Sequence, residues 1–138
     1  MAYWLIKSEP DVFSLDDLAA KPRSRSGWDG VRNYQARNNL KAMKVGDLAL
    51  FYHSNASPPA VVGAARVTRE AFPDGPDPRW VQVEVEYAGR LARPVSLAEA
   101  KAAPGLKDMS LVRYGRLSVQ PVTAKEWAAV LKMGGGLT

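Results

Sequence analysis

Residues 28–37, WDGVRNYQAR, concentrate aromatic rings and hydrogen-bonding side chains in one short stretch of the chain. Trp28 follows the run SRSG and precedes Asp-Gly, a context typical of a loop. A loop tryptophan beside polar groups could stack on a flat ligand or fold back as a hydrophobic plug. Asn33 could cap a helix, or its amide could read a base edge, because it offers a donor and an acceptor side by side. The stretch favours binding of a planar heterocycle.

Three arginines accompany this stretch and could hold a phosphate backbone. Arg32 and Arg37 flank the predicted start of a helix, whose N-terminus favours anions, and Arg79 stands further along the chain. The guanidinium groups could instead pair with a carboxylate such as Asp29 or remain solvated. These alternatives stay open at the level of sequence.

Trp80 opens the alternating segment RWVQVEVEY, residues 79–87. Alternation places three valines and Tyr87 on one face of a strand and Trp80 on the other face, among glutamine and glutamate. A tryptophan on the polar face lies at a pocket, at an interface or under another element. Stacking a base on an aromatic ring is worth about 1–3 kcal/mol, so Trp28 and Trp80 are candidates for the walls of a recess that takes a flat base, and burial under another part of the fold stays the alternative for each.

Catalytic chemistry has little support in the sequence. There is no cysteine, and His53 is the only histidine. The adjacent Ser54 points to the opposite face of a strand, so the two side chains cannot form a nucleophile–base pair. No Gly-x-Ser-x-Gly elbow, phosphate loop or metal-ligand spacing occurs. We therefore predict no catalytic residue, no metal and no cofactor, with His53 as a general base on a nucleotide kept as an alternative.

The composition indicates one folded domain with polyanionic partners. The chain has 138 residues, of which 46% are hydrophobic, and a net charge of +5 with a pI of about 9.6. A basic balance favours nucleic acid as the partner. No apolar run approaches the roughly 20 residues of a membrane span, and the N-terminus lacks a signal-peptide pattern. We expect a soluble cytoplasmic protein without a membrane partner; nothing fixes the oligomeric state, and a monomer is favoured.

Helix and strand signals predict an α+β fold. The Ser-x-x-acid or Thr-x-x-acid pattern of a capping box occurs at Ser14, Ser96 and Thr123. A further helix carries the apolar stripe Ala36, Leu40 and Met43 and is expected to end near Gly46. Strands are predicted over 3–8, 47–54, 60–69, 79–87 and 115–123, with 90–96 pairing back onto 79–87. We expect a small, mostly antiparallel sheet that curls toward a barrel, flanked by several helices.

Five sequence words, in order, resemble a known family: YWLIKSEP, WDGVRNYQARNNLKAMKVGD, LFYHSN, PRW and RLSVQPVT. They are similar to the EVE domain of bacterial EVE proteins and the thymocyte nuclear protein family, from Tyr3 to about Met133. The resemblance implies a PUA-like fold with one domain over 1–133. Residues 134–138 begin with three glycines after the last predicted helix, and we expect them to form a flexible tail. It also implies a non-enzymatic reader that takes a methylated or hydroxymethylated base of DNA or RNA into an aromatic pocket.

The resemblance implies a set of residues around that pocket. Trp28 and Trp80 would be walls, and the phosphate backbone would be held by Arg32, Arg37 and Arg79. The other positions that match the family are Lys7, Ser8, Asn33, Tyr34, His53, Ser54 and Asn55. Residues 116–118 fall in the word RLS, whose role could be wholly structural.

Two features depart from the family pattern. The segment AFPDGPDPRW, residues 71–80, is shorter than the insert that family members carry before Pro-Arg-Trp, and Asn39 stands where many members have an aromatic or aliphatic residue. The short segment puts target selectivity in doubt. A protein that binds a nucleotide or heterocyclic metabolite remains the alternative to a nucleic-acid reader.

Overall fold

The computed structural model describes all residues from Met1 to Thr138. Six strands form one sheet: β1 (Tyr3–Ser8), β2 (Arg25–Trp28), β3 (Leu48–His53), β4 (Ala60–Pro73), β5 (Val81–Ser96) and β6 (Val119–Val122). Five helices flank it: α1 (Leu15–Ala20), α2 (Tyr34–Ala42), α3 (Leu97–Ala102), α4 (Ser110–Arg113) and α5 (Ala124–Met133). The α+β class with a mostly antiparallel sheet is confirmed. No helix combines the length and the apolar character that crossing a membrane requires.

The sheet has the strand order β2-β5-β4-β3-β1-β6 and remains open. β1 runs parallel to β3, and the other neighbouring pairs are antiparallel. β2 and β6 are therefore the two edges of the sheet, and they do not pair with each other. The site described below is lined by β2 and includes Ser118, the residue before β6.

β4 and β5 are long strands whose pairing changes register several times. The predicted hairpin between 79–87 and 90–96 is wrong, because both segments belong to the single strand β5. Gly89, with φ of +143°, lies at one of the register irregularities, opposite Ala64. A glycine tolerates this backbone conformation, so β5 bends there and continues along β4 instead of turning back.

The sheet has an apolar core on each face. Trp4, Ile6 and Phe51 belong to the core that α1 and α2 cover, whereas Leu5 and Leu50 belong to the core under α3, α4 and α5. This division follows from the alternation of side chains along β1 and β3. Apolar side chains therefore pack helices against both faces of the sheet.

The three predicted capping boxes are confirmed at Ser14, Ser96 and Thr123. The stripe of Ala36, Leu40 and Met43 is buried as predicted. The helix ends earlier than expected, however. Its C-cap is Met43, and Gly46 (φ +95°) lies in the following turn, where its N–H donates to the carbonyl of Val67.

Two further segments are paired where the sequence indicates irregular chain. Residues 25–28, expected to be a flexible loop, form the edge strand β2 against β5. The last five residues run antiparallel to β5, with hydrogen bonds in both directions between Arg90 and Thr138. This pairing corrects the expectation of a frayed tail, since the backbone of 134–138 is held by β5.

Candidate functional site

A cleft opens between β2 and the carboxyl end of β1. Its volume is about 620 Å³, within the roughly 300–1,000 Å³ range of small-ligand sites. Its walls come from β1, the segment after β1, β2, the loop after β2, β5 and the residue before β6. The lining residues are Lys7, Ser8, Val12, Phe13, Lys21, Ser26, Gly27, Trp28, Asp29, Gly30, Val31, Arg32, Gln82 and Ser118.

Trp28 is the largest apolar wall of this cleft. Its indole packs edge to face against Phe13, with ring centroids 6.0 Å apart, and against Phe51, at 5.4 Å. Only 7% of Trp28 is exposed, and the residue lines the cleft. The ring is therefore fixed by the core and presents only a narrow surface to a ligand.

The loop after Trp28 is clamped by Asp74, which lies 42 residues beyond Arg32. Asp74 Oδ2 accepts hydrogen bonds from the N–H of Gly30 and from Arg32 Nη1, both at 2.9 Å. Burial alone would raise the pKa of Asp74, but these two donors outweigh it and lower the pKa below its ordinary value. The short segment 71–80 thus holds the rim of the cleft, although it is shorter than the insert expected from the family pattern.

Other parts of the lining are polar and basic. Lys7 donates to the carbonyl of Gly115 at 2.6 Å, and burial lowers the pKa of its ammonium group. Ser8 donates to the carbonyl of Phe13 at 2.6 Å, so its hydroxyl is committed to the loop it faces. Lys21 has no carboxylate within ion-pair distance and lies above the ring of Phe13. Lys7 and Lys21 therefore add positive charge to the lining of the cleft.

Trp80 lies outside this cleft, so the expected sandwich between two indole rings is corrected. Tyr34, from the first turn of α2, stacks on Trp80 with centroids 5.3 Å apart and planes at 25°. Arg32 and Arg79 lie over the Trp80 ring at 5.4 and 5.8 Å, and Arg37 lies over Tyr34 at 5.1 Å. We call these five residues the arginine–aromatic platform. It adjoins the cleft because Arg32 belongs to both.

The three arginines of the platform have partners in the protein. Arg79 makes a bidentate ion pair with Asp77, and the guanidinium lowers the pKa of Asp77 to about 2. Arg37 donates to the side chain of Asn38 and to the carbonyl of Arg79. Arg32 pairs with Asp74 and not with Asp29, which the sequence offered as its partner. Each guanidinium retains further N–H groups, since arginine has five donors.

Several other predicted site residues lie away from the cleft. Asn33 is the N-cap of α2, and its side chain accepts from the N–H of Ala36 at 2.9 Å. His53 Nε2 accepts from the N–H of Leu15 at 3.1 Å, so the imidazole caps the first turn of α1. Ser54 and Asn55 line a separate cavity of about 220 Å³, which Lys7 also borders. Of the residues implied by the resemblance, the cleft collects Lys7, Ser8, Trp28 and Arg32.

Sequence reasoning missed part of the cleft because it treated residues 25–28 as loop. Once β2 pairs with β5, alternation along the strand brings Ser26 and Trp28 to the cleft, and the side chain of Gln82 packs beside Gly27, whose ladder partner is Glu84. A side chain at Gly27 would require the Gln82 amide to move. Ser118, from the word RLS, also lines the cleft. No sequence pattern marks Phe13 or Lys21 as a residue of the cleft, and the sequence indicates Asp29 only as a possible ion-pair partner of an arginine.

Asn39 shows how this chain accommodates one departure from the family pattern. The residue is buried, and its amide donates to the carbonyl of Val119 at 2.7 Å. It therefore fastens α2 to β6 with a buried hydrogen bond, where an apolar residue would use contact alone. No group of three or more histidine, aspartate or glutamate side chains is placed to hold a metal ion.

Comparison with known proteins places this architecture in a family. The family model of the EVE domain matches residues 2–133. Mouse thymocyte nuclear protein 1 is 40% identical over 164 aligned residues, which cover 95% of this chain and 73% of the mouse protein. Since the alignment is longer than the 138-residue chain, the mouse protein carries inserted residues.

Solved structures agree with this assignment. A protein from Agrobacterium tumefaciens has a TM-score of 0.94 at 47% identity, with 99% of this chain and 94% of that chain covered. The human THYN1 protein in complex with 5-methylcytosine-containing DNA has a TM-score of 0.93 at 37% identity, with both chains fully covered. The expected resemblance is confirmed: this chain belongs to the EVE domain family.

Proposed function

We propose that this chain is a non-enzymatic module that binds DNA and takes one methylated base, such as 5-methylcytosine, into the 620 Å³ cleft beside Trp28. The observation that carries the proposal is the cleft itself, lined by an indole that two phenylalanines fix and by two lysines. A relative of the same fold in complex with 5-methylcytosine-containing DNA supports it. A base that enters the cleft must leave its stack, which costs a few kcal/mol and which the indole and polar edge contacts offset.

The arginine–aromatic platform is the second part of the proposed interface. Tyr34 is 53% exposed and is stacked on Trp80, so the pair offers a flat surface beside the cleft. The guanidinium groups around it supply donors to phosphate oxygens. We propose that the platform binds the strand next to the inserted base without reading its sequence.

Hydrolytic or other base chemistry is disfavoured by the position of His53. Its Nε2 is the atom that would accept a proton, and it already accepts the N–H of Leu15. The imidazole also lies outside the cleft. We therefore propose a binding role alone, in which the nucleic acid leaves unchanged.

Titration of labelled oligonucleotides that carry one cytosine, 5-methylcytosine or 5-hydroxymethylcytosine tests this function. Burial of one methyl group is worth about 0.8 kcal/mol, so we expect about fourfold tighter binding of the 5-methylcytosine strand. We also expect affinity to fall steeply with salt, because phosphate contacts release counterions. Mass spectrometry after incubation should return every oligonucleotide intact.

The variant Trp28→Leu, with Trp127→Leu as its control, shows whether the cleft is responsible. Both tryptophans are buried to the same degree, 7% and 8% exposed, but Trp127 stacks on Tyr3 in the opposite core. We expect the fourfold preference to vanish in Trp28→Leu and to persist in Trp127→Leu, both measured where circular dichroism shows the folded state. Equal affinity for all three bases in the wild type would refute the proposal. A preference for free nucleotides with little dependence on salt would instead identify a metabolite-binding protein.

A further inference from the structure

Asp29 is the only acidic residue that lines the cleft. It follows Trp28 directly, at the point where β2 ends, and it is exposed. Its carboxylate takes part in no ion pair and no hydrogen bond, because the neighbouring Arg32 pairs with Asp74. A free carboxylate in the basic cleft of a DNA-binding protein repels phosphate, so its presence requires another explanation.

Most other polar side chains of the cleft are committed to the protein. Ser8, Ser26 and Gln82 donate to the carbonyls of Phe13, Gly27 and Pro73. Lys21 supplies only donors. Asp29 is therefore the one charged acceptor that a ligand beside Trp28 can meet.

The bases that such a cleft must separate differ at one edge. Thymine carries the same 5-methyl group as 5-methylcytosine, so neither the indole nor an apolar contact to the methyl group distinguishes them. Cytosine presents an amino donor at position 4, whereas thymine presents a carbonyl acceptor. A carboxylate accepts from the amino group and repels the carbonyl oxygen.

We propose that Asp29 is the residue that selects cytosine bases over thymine and uracil, by accepting a hydrogen bond from the exocyclic 4-amino group. The proposal rests on the proposed function, since it assumes that a base enters the cleft. The carboxylate would distinguish 5-methylcytosine from thymine, which a contact to their shared methyl group cannot do. A good pair at a base edge discriminates by roughly tenfold or more.

Competition between single strands that differ at one central position tests this role. The pair 5-methylcytosine and thymine keeps the methyl group, and the pair cytosine and uracil lacks it, so both pairs isolate position 4. We expect the wild type to prefer the amino base about tenfold in each pair. Asp29→Asn should bring both ratios close to one, because its amide offers a donor to the carbonyl as well as an acceptor to the amino group.

Asp108→Asn is the matched control. Asp108 also carries an exposed carboxylate, paired with Arg113, and it does not line the cleft. Both variants lose one negative charge, so a general gain in affinity for DNA is common to them and leaves the ratios unaffected. Because Asp29 has no partner in the protein, Asp29→Asn should melt at the wild-type temperature.

The outcomes separate this inference from the function beneath it. The role of Asp29 is refuted, and base binding stands, if the wild type prefers 5-methylcytosine over cytosine but binds thymine as tightly as 5-methylcytosine. The same conclusion follows if Asp29→Asn keeps the tenfold ratios. If the wild type shows no preference among any of these strands, the proposed function itself fails.

Discussion

Removal of the Asp74 carboxylate should loosen the rim of the cleft and lower the stability of the domain by a small, measurable amount. Asp74 lies on the short segment between β4 and β5 and holds the loop after Trp28 through Gly30 and Arg32. Asp74→Asn retains an oxygen that accepts from Gly30 but removes the charge that attracts Arg32. Asp74→Ala removes both contacts.

The contacts set the size of the effect. Hydrogen bonds to a charged group contribute about 1.5–3 kcal/mol, but half-exposed ion pairs contribute only about 0–1 kcal/mol. Because 48% of the Arg32 side chain is exposed, and water can replace Asp74 at the exposed Gly30, the lower values apply. We expect a loss of about 0.5–1 kcal/mol for Asp74→Asn and about 1–2 kcal/mol for Asp74→Ala. One kcal/mol corresponds to a fall of about 3–5 °C in Tm for a domain of this size.

The loss should depend on pH in a direction that the structure fixes. Burial alone would raise the pKa of Asp74, but the hydrogen bonds from Gly30 and Arg32 prevail, and its pKa lies below the ordinary value of 3.8. A carboxyl group with a lowered pKa stabilises the fold above its ordinary pKa, and this contribution disappears as pH falls through the lowered value. The difference between wild type and Asp74→Asn should therefore be full at pH 7 and shrink below about pH 4.

Urea denaturation at pH 7 and pH 3, followed by oligonucleotide titration at pH 7, measures both effects. Asp77→Asn is the control, because Asp77 lies on the same segment and its removal changes the charge equally, but it contacts Arg79 and not the loop. We expect Asp74→Asn to lose more of the preference for 5-methylcytosine over cytosine than Asp77→Asn does, because Asp77 contacts the platform and not the loop. A stability difference of the same size at pH 3 and pH 7, or an equal preference in the two variants, would show that Asp74 does not hold the rim.

Two further outcomes are expected. Trp80→Ala should weaken binding of every oligonucleotide by roughly tenfold, the value of one lost stacking contact. Fluorescence anisotropy should show an unchanged ratio of the affinities for the 5-methylcytosine and cytosine strands, and a changed ratio would place Trp80 in base recognition. Burial lowers the pKa of His53, so the unfolded chain binds a proton at a higher pH than the folded protein does, and wild-type stability should fall as pH drops below 6.5. Urea denaturation should show a smaller loss of stability between pH 7 and pH 5 for His53→Gln than for the wild type. Parallel curves of stability against pH for the two proteins would contradict this.

Local patterns predicted the parts of the fold that local contacts decide. The capping boxes at Ser14, Ser96 and Thr123 involve residues three positions apart, and the alternation of Val83 and Val85 reflects one strand with one buried face. Such features depend on neighbours in the chain, so the sequence carries them directly. The family resemblance then supplied the order in which these elements pack.

The composition of the cleft was not predictable in the same way, because it depends on distant pairs. β2 is a strand only through its pairing with β5, about 60 residues away, and Gly27 conceals it from pattern analysis. Trp80 was assigned to the alternating face of β5, but the strand begins at Val81, so the alternation does not apply to it. The sequence indicates Asp29 as a possible partner of Arg32, and only the fold shows that Arg32 pairs with Asp74 and leaves Asp29 without an ion pair.

Trp28 is buried in the core, whereas the arginine–aromatic platform is exposed. This difference limits which features of a nucleic acid each of them could distinguish. Trp28 is held by Phe13 and Phe51, so little reordering is needed if a base binds there, and in the proposed function the methyl group would change affinity by only about fourfold. In the same proposal, the exposed arginine–aromatic platform would bind any strand alike. Sharper discrimination must therefore come from a polar edge contact, where an unmatched group is costly. Such a cleft would identify the base by its 4-amino group first and weigh its methylation second.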